Sequence, residues 1–187
     1  MFTGISKQVD ICKAAGVKRI ALTAGQRRGL DYKTAADNCV EICKRLAPKL
    51  AEGGVTLIIE NVNDKRHDAN LSREDMVFGH WDWGVEVVQR VDSPNVRLLC
   101  DIYHLQIMDG DITATLRRDQ KLIGHIHVAG VPTRQEIDGR QEVDYRNVAE
   151  VIAGLQDFDG YVCHEWRPSP GADPLKSIAE AVRIMDV

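Results

Sequence analysis

The sequence predicts an α/β fold built on a parallel sheet, and two observations support this prediction. Five short apolar runs have the length of buried strands, and segments with apolar residues at helical spacing separate them. Short buried strands that alternate with helices build a parallel sheet. Four of the runs also end in an acidic residue or a histidine, and the carboxyl ends of such strands line the active-site face. The predicted strands, with their turns, occupy residues 19–25, 55–60, 96–101, 122–129 and 160–165.

The helices are predicted from apolar periodicity and from the residues that interrupt it. Ile5, Val9 and Cys12 mark one face of a first helix that ends at Gly16. Between the helices, the polar loop 61–80 is too long for a plain connection and is a candidate lid or pocket wall. Further helices are predicted at residues 33–52, 83–91, near 111–118, after 144 and at 174–185.

The strand ends predict a metal site formed by Glu60, Asp101, His127 and Glu165. A charged group at the end of a buried run costs free energy unless it is paired or bound to a metal. One acid at a strand end is weak evidence, whereas four such residues on separate strands indicate a mixed oxygen and nitrogen site for a divalent ion. Because carboxylate and imidazole ligands suit several ions, the expected cofactor is one Mg²⁺, Mn²⁺ or Co²⁺ ion.

Composition narrows the class of protein. The 187 residues are 44% hydrophobic and 28% charged, which predicts a globular chain with a sizeable core. Because no linker, repeat or low-complexity segment is evident, we expect a single domain over residues 1–187. A net charge of −4 and a pI near 5.9 argue against a nucleic-acid partner. No apolar run approaches the roughly 20 residues of a membrane span, and the first residues lack the pattern of a signal peptide. The five cysteines lie within helix and strand patterns, which indicates reduced, buried thiols in a cytoplasmic protein.

The predicted architecture is a partial (β/α)8 TIM barrel. Such barrels typically need about 250 residues, whereas this chain opens on a helix and supplies five strands. Either about three N-terminal units are absent, or another chain completes the sheet. Because an unpaired strand at a sheet edge exposes backbone groups, we expect self-association as a homo-oligomer, poor solubility, or coverage of the edge by the first helix at residues 4–15.

Five stretches of the chain carry a family resemblance. They are Ile59-Glu-Asn, Cys100-Asp-Ile-Tyr-His-Leu-Gln-Ile-Met-Asp-Gly-Asp, Gly124-His-Ile-His-Val-Ala-Gly-Val-Pro-Thr-Arg, Gln141-Glu-Val-Asp-Tyr and Cys163-His-Glu-Trp-Arg-Pro. Through them, residues 55–168 resemble the hydroxypyruvate isomerase branch of the xylose-isomerase-like TIM barrel superfamily. The resemblance implies that the five strands are the last five of the family barrel. In the related ketose 3-epimerases, Glu, Asp, His and Glu on the last four strands hold the metal, and the four strand-end residues match that order.

The resemblance implies an isomerase or epimerase of a small sugar or hydroxy-keto acid. Such an enzyme moves a proton beside a carbonyl, and a divalent ion stabilises the enediolate as it forms. Glu60 and Glu165 are the expected base and acid. His104, Arg134 and Arg167 are expected to bind substrate oxygens.

Other interpretations stay open. A phosphodiesterase of the endonuclease IV type shares the barrel, but six histidines and a negative net charge speak against its larger metal site and basic surface. The chain could also be a non-catalytic fragment that keeps the ligands. Among the single residues, Glu60 or Glu165 could form a salt bridge, Asp101 could cap the next turn, and His127 could be a hydrogen-bonded core residue.

Overall fold

The computed structural model describes residues 2–65 and 75–187 and contains seven α-helices and five β-strands within these ranges. The central part of the long polar loop, residues 66–74, lies outside the described residues. The helices are α1 (Phe2–Ala15), α2 (Tyr32–Gly53), α3 (Trp81–Val91), α4 (Ile102–Met108), α5 (Ile112–Asp119), α6 (Tyr145–Ala153) and α7 (Pro174–Met185). The strands are β1 (Arg19–Thr23), β2 (Thr56–Glu60), β3 (Val96–Asp101), β4 (Ile123–Val128) and β5 (Val162–His164).

The strands confirm the predicted α/β class. They follow one another in the sheet in the order in which they occur along the chain. β2 lies parallel to β1 and β3, with Glu60 opposite Thr23 on one side and opposite Leu99 on the other. β4 and β5 are also parallel, with His127 opposite Cys163. Parallel neighbours bring their carboxyl ends to the same edge, as the prediction required.

The chain divides into two compact units, and the first of them ends at Leu99. Within it, α2 begins after Asp31, whose side chain accepts a backbone N–H of the first turn, and ends before Gly54 in the left-handed region. Residues 57–59 of β2 are buried, as expected for a strand covered on both faces. Glu60 is the last residue of that strand, is half-buried and is the strand's one acidic residue.

The second unit begins at Cys100 and is organised around β4. Ile123, Ile126 and Val128 of this strand are fully buried. The Tyr145 hydroxyl at the start of α6 donates to the carbonyl of Ala129, and therefore ties this helix to the end of β4.

One helix, α4, was not predicted from the sequence. It starts directly after β3, where the Asp101 carboxylate accepts the backbone N–H of His104 at 3.3 Å. Asp101 is therefore an N-cap as well as a strand end. With seven residues, α4 is too short to show a helical periodicity.

Two expectations from composition have different outcomes. The cysteines are free, but burial holds for only part of the set: Cys43 and Cys100 are buried, Cys12 and Cys39 are half-buried, and Cys163 is exposed. The prediction was wrong for Cys163 because β5 is the last strand in the sheet order and its residues are partly accessible.

Over the residues that the structure describes, no helix is long and apolar enough to cross a membrane.

Candidate active site

Asp101 is the buried centre of the candidate site in the second unit. Its side chain has no exposed surface, and its backbone joins the end of β3 to the first turn of α4. One carboxylate oxygen caps the helix, and the other lies 3.5 Å from Nε2 of His104. A carboxylate buried this deeply needs partners of this kind, because burial without them would be costly.

Arg134 supplies a positive charge to the same place. It lies in the loop between β4 and α6, and its Nη2 donates to Oε2 of Glu165 at 2.6 Å and to Oδ2 of Asp101 at 3.4 Å. Its Nη1 lies 3.3 Å from Nε2 of His104, and its guanidinium lies 5.1 Å from the ring centre of Tyr103. One buried guanidinium therefore joins two of the predicted metal ligands to one of the predicted substrate-binding residues.

His127 and Glu165 come from the neighbouring strand ends. Nδ1 of His127 lies 3.1 Å from Oε2 of Glu165. β5 is shorter than predicted, so Glu165 follows the strand, but its backbone N–H still donates to the carbonyl of Val128 at 2.9 Å. Burial raises the pKa of Glu165, but the hydrogen bond with His127 and the charge of Arg134 outweigh that effect and hold the pKa at about 2. Glu165 is therefore ionised at neutral pH.

The donor atoms of these residues suit a divalent ion. Asp101, His127 and Glu165 each offer one ligand atom, and these atoms lie within 4.8 Å of one another. Two ligands that each lie about 2.0–2.4 Å from one ion are separated by at most about 4.8 Å. Two carboxylates and one imidazole form a set that Mg²⁺, Mn²⁺ or Co²⁺ accepts. The residues present therefore fit the predicted ion.

Glu60 and Arg167 have less defined places. Glu60 ends β2 in the first unit, opposite Leu99. Arg167 is exposed, and its backbone N–H donates to the carbonyl of Arg134 at 3.0 Å. The roles predicted for Glu60 as ligand and catalytic group, and for Arg167 as substrate-binding residue, remain predictions.

Comparison with known proteins identifies the family. A family model described as the xylose isomerase-like TIM barrel matches residues 2–186. The chain belongs to the xylose isomerase-like TIM barrel family. A crystal structure described as an AP endonuclease, family 2, from Brucella melitensis superposes with a TM-score of 0.81 at 28% identity, over 97% of this chain and 68% of that one. The predicted partial barrel is thereby confirmed as the fold class.

Several relatives in the xylose isomerase-like family bear the names of isomerases. A putative hydroxypyruvate isomerase from Danio rerio is 32% identical over 171 residues, which are 88% of this chain and 59% of the relative. A 2-oxo-tetronate isomerase from Cupriavidus necator is 37% identical over 122 residues, which are 65% of this chain and 44% of the relative. The chain thus spans about three fifths, or less, of the length of these curated relatives.

Two residues near the candidate site were missed in the sequence. Tyr103 lies beneath the Arg134 guanidinium, and its position inside the Asp-Ile-Tyr-His run was the available signal. Glu136 lies two residues after Arg134 and accepts hydrogen bonds from Ser169 and Ser177. No sequence signal marked Glu136, since an acid in a polar loop is ordinarily exposed.

Proposed function

We propose that the chain carries the metal and proton-transfer site of an isomerase or epimerase that acts on a small hydroxy-carbonyl compound, of the hydroxypyruvate or ketose type. The observation that carries the proposal is the convergence of Asp101, His127 and Glu165, with ligand atoms within 4.8 Å of one another. Membership of the xylose isomerase-like family and the names of the isomerase relatives support the reaction class.

The residues would divide the work of proton transfer. Glu165 is ionised at neutral pH, so it can accept the proton beside the carbonyl but cannot donate one at the start. For an isomerisation, Glu165 would return this proton to the neighbouring carbon. For an epimerisation, Glu165 would lose it to solvent, and Glu60 would pass a proton taken up from solvent to the opposite face. Glu60 would also serve as the fourth ligand. A divalent ion, when bound, supplies the positive charge that stabilises developing negative charge on the substrate oxygens.

Substrate recognition would fall to cationic and imidazole groups near the ligands. His104 lies beside both Asp101 and Arg134, so its ring is held in one orientation. Arg134 and Arg167 would bind a carboxylate or hydroxyl group of the substrate. The proposed substrate is a hydroxy-keto acid or ketose of three to six carbons, and the proposal includes no nucleic-acid or membrane partner. Cytoplasmic location and homo-oligomer formation remain predictions.

A deuterium-exchange experiment tests this proposal. The chain, loaded with Mg²⁺, Mn²⁺ or Co²⁺, is incubated in D₂O with hydroxypyruvate and with ketoses and keto acids of three to six carbons. We expect deuterium beside the carbonyl of at least one substrate and no exchange with Glu165→Gln. Glu142→Gln, in a polar loop of the same unit, is the matched control and should exchange normally. Absence of exchange across the panel, in a protein that binds the ion, would favour the non-catalytic alternative.

A phosphodiesterase remains the second candidate because of the name of the Brucella structure. Among the described residues, a single group of acidic and histidine side chains has the spacing of metal ligands. This observation counts against a phosphodiesterase of the endonuclease IV type, which needs a larger metal site. Cleavage of DNA that contains an abasic site, without any isomerase activity, would favour the phosphodiesterase over the isomerase or epimerase.

A further inference from the structure

The position of Arg134 depends on a tightly folded loop. Arg134 has a φ of 57°, in the left-handed region, and its backbone N–H donates to the carbonyl of Gly130 at 2.6 Å. The Gly130 N–H in turn donates to the carbonyl of Gln135 at 2.8 Å. A Cβ at Gly130 would lie 2.4 Å from the carbonyl oxygen of Glu136, so glycine is needed there. Because the left-handed conformation of Arg134 costs free energy, contacts with other parts of the chain must stabilise this loop.

Glu136 supplies such contacts. Its side chain, in a residue that is only 9% exposed, accepts the backbone N–H of Ser169 at 2.9 Å and the Ser169 hydroxyl at 2.5 Å. Its Oε1 also accepts the Ser177 hydroxyl, at 3.0 Å. Ser169 belongs to the segment that follows Glu165, and Ser177 belongs to α7. One carboxylate thus ties the loop to two later parts of the chain.

The contact of Glu136 with Ser169 is one of several hydrogen bonds between residues 128–136 and residues 165–169. The backbone N–H groups of Glu165 and Arg167 donate to the carbonyls of Val128 and Arg134, at 2.9 and 3.0 Å. The third hydrogen bond, two residues further on, is the one from the Ser169 N–H to the Glu136 side chain. The same two segments are joined by the 2.6 Å contact between the Arg134 guanidinium and the Glu165 carboxylate.

We propose that Glu136 is a positioning residue, which holds the loop so that Arg134 stays against Glu165. Glu136 touches neither reacting atoms nor ligand atoms in this role, and it acts through the Arg134 backbone. The proposal rests on the proposed isomerase function for its catalytic consequence, but its structural part can be tested without any activity. The displacement that matters is small, because a misplacement of about 1 Å can cost on the order of 100-fold in rate.

The structural test follows the Arg134 side chain by NMR. Its Nε–H signal is assigned by its loss in Arg134→Lys, and its exchange with solvent is measured in the full chain. We expect Glu136→Ala to shift the signal and to speed its exchange at least 10-fold, with Ser177→Ala and Glu136→Gln intermediate. Glu142→Gln, a change in the same loop, should leave the signal in place. An unchanged Arg134 signal in folded Glu136→Ala would overturn the proposal.

The kinetic test separates positioning from general stability. Glu136→Ala should lower kcat more than it raises KM, by roughly 10-fold or more, at a temperature where circular dichroism shows the variant folded. In an Arg134→Lys background, Glu136→Ala should lower kcat by less than about twofold, because the side chain that Glu136 positions is already altered. Equal losses in both backgrounds would show that Glu136 acts on stability alone. If the wild-type chain lacks activity, the proposed function fails while the NMR result still decides the positioning role.

Discussion

Arg134 and Glu165 lie 31 residues apart in sequence, and their side chains meet at 2.6 Å in the candidate site. Glu165 is also a predicted metal ligand, and the same guanidinium nitrogen reaches Asp101 at 3.4 Å. A fixed positive charge therefore stands beside two carboxylates that would bind a cation. The charge orients both carboxylates, and it also opposes the binding of a second positive charge near them.

Removal of the Arg134 charge should strengthen metal binding and weaken catalysis. Arg134→Met keeps much of the side-chain volume, and we expect Mn²⁺ affinity to rise on the order of 10-fold, because a cation about 3 Å from the ligand atoms repels the ion even when partly screened. Electron paramagnetic resonance of free Mn²⁺ measures the affinity. Arg140→Met is the control, since Arg140 belongs to the same loop but pairs with Asp138. Weaker Mn²⁺ binding by Arg134→Met would contradict the repulsion.

Substitutions of Asp101 should separate its two roles. Asp101→Asn keeps an oxygen to cap α4 but removes the charge, so we expect metal binding to fall with stability nearly retained. Asp101→Ala loses both, and its free energy of unfolding should drop by a further ~1 kcal/mol or more. Calorimetric metal titration and urea unfolding measure the two quantities. Equal unfolding free energies for the two variants would show that the cap contributes little.

His127→Gln should bind metal better than Asp101→Ala does. The amide oxygen of Gln can still coordinate, whereas removal of Asp101 deletes a charged ligand from a buried position. Isothermal titration with Mn²⁺ measures both affinities. An equal loss of binding in the two variants would refute the ranking.

Stability should depend on pH through Glu136. Burial raises its pKa, but hydrogen bonds from the side chain and backbone of Ser169, with help from Ser177, lower it from an ordinary 4.5 to about 2. Because the folded-state pKa is depressed, the contribution of Glu136 is fully present above about pH 4.5 and is lost as the pH falls towards 2. Glu136→Gln should therefore unfold about 1.5–3 kcal/mol more easily at pH 7, and the difference should shrink in acid.

Urea unfolding from pH 7 to pH 2.5 measures this dependence. Glu150→Gln is the control, because Glu150 forms an exposed pair with Arg146 and should change stability by less than about 1 kcal/mol at any pH. A Glu136→Gln difference that stays constant across the range would mean that the depressed pKa is not the cause.

The exposed side of α7 should promote self-association. Leu175, Ile178 and Val182 follow one stripe of this helix and are 78%, 50% and 52% exposed. Analytical ultracentrifugation should show oligomers that dissociate when Ile178 and Val182 are both changed to Gln. Lys176→Gln on the same helix is the control and should leave the oligomers intact. A wild-type chain that is monomeric at all concentrations would contradict this prediction.

The strand ends were predictable from the sequence, because two local rules sufficed. Apolar runs located β3 and β4, and the rule that parallel strands share a carboxyl edge predicted that Asp101 and His127 approach each other. A salt bridge at Glu165 was left open by the sequence, but Arg134 could not be predicted as its partner. Their contact depends on a loop whose path is set by Ser169 and by other residues distant in sequence, and no periodicity reports such contacts.

The ties from Glu136 to Ser169 and Ser177 also bear on the order of events during synthesis. The loop that carries Arg134 leaves the ribosome before the residues that hold it, so early folding can form the buried Asp101 cap but cannot yet orient the guanidinium. The site would mature only once β5 and the first turn of α7 have emerged. Ribosome-bound chains that are held outside the exit tunnel by a C-terminal linker, and that end before or after residue 177, should therefore differ sharply in protection of the 130–136 segment from protease.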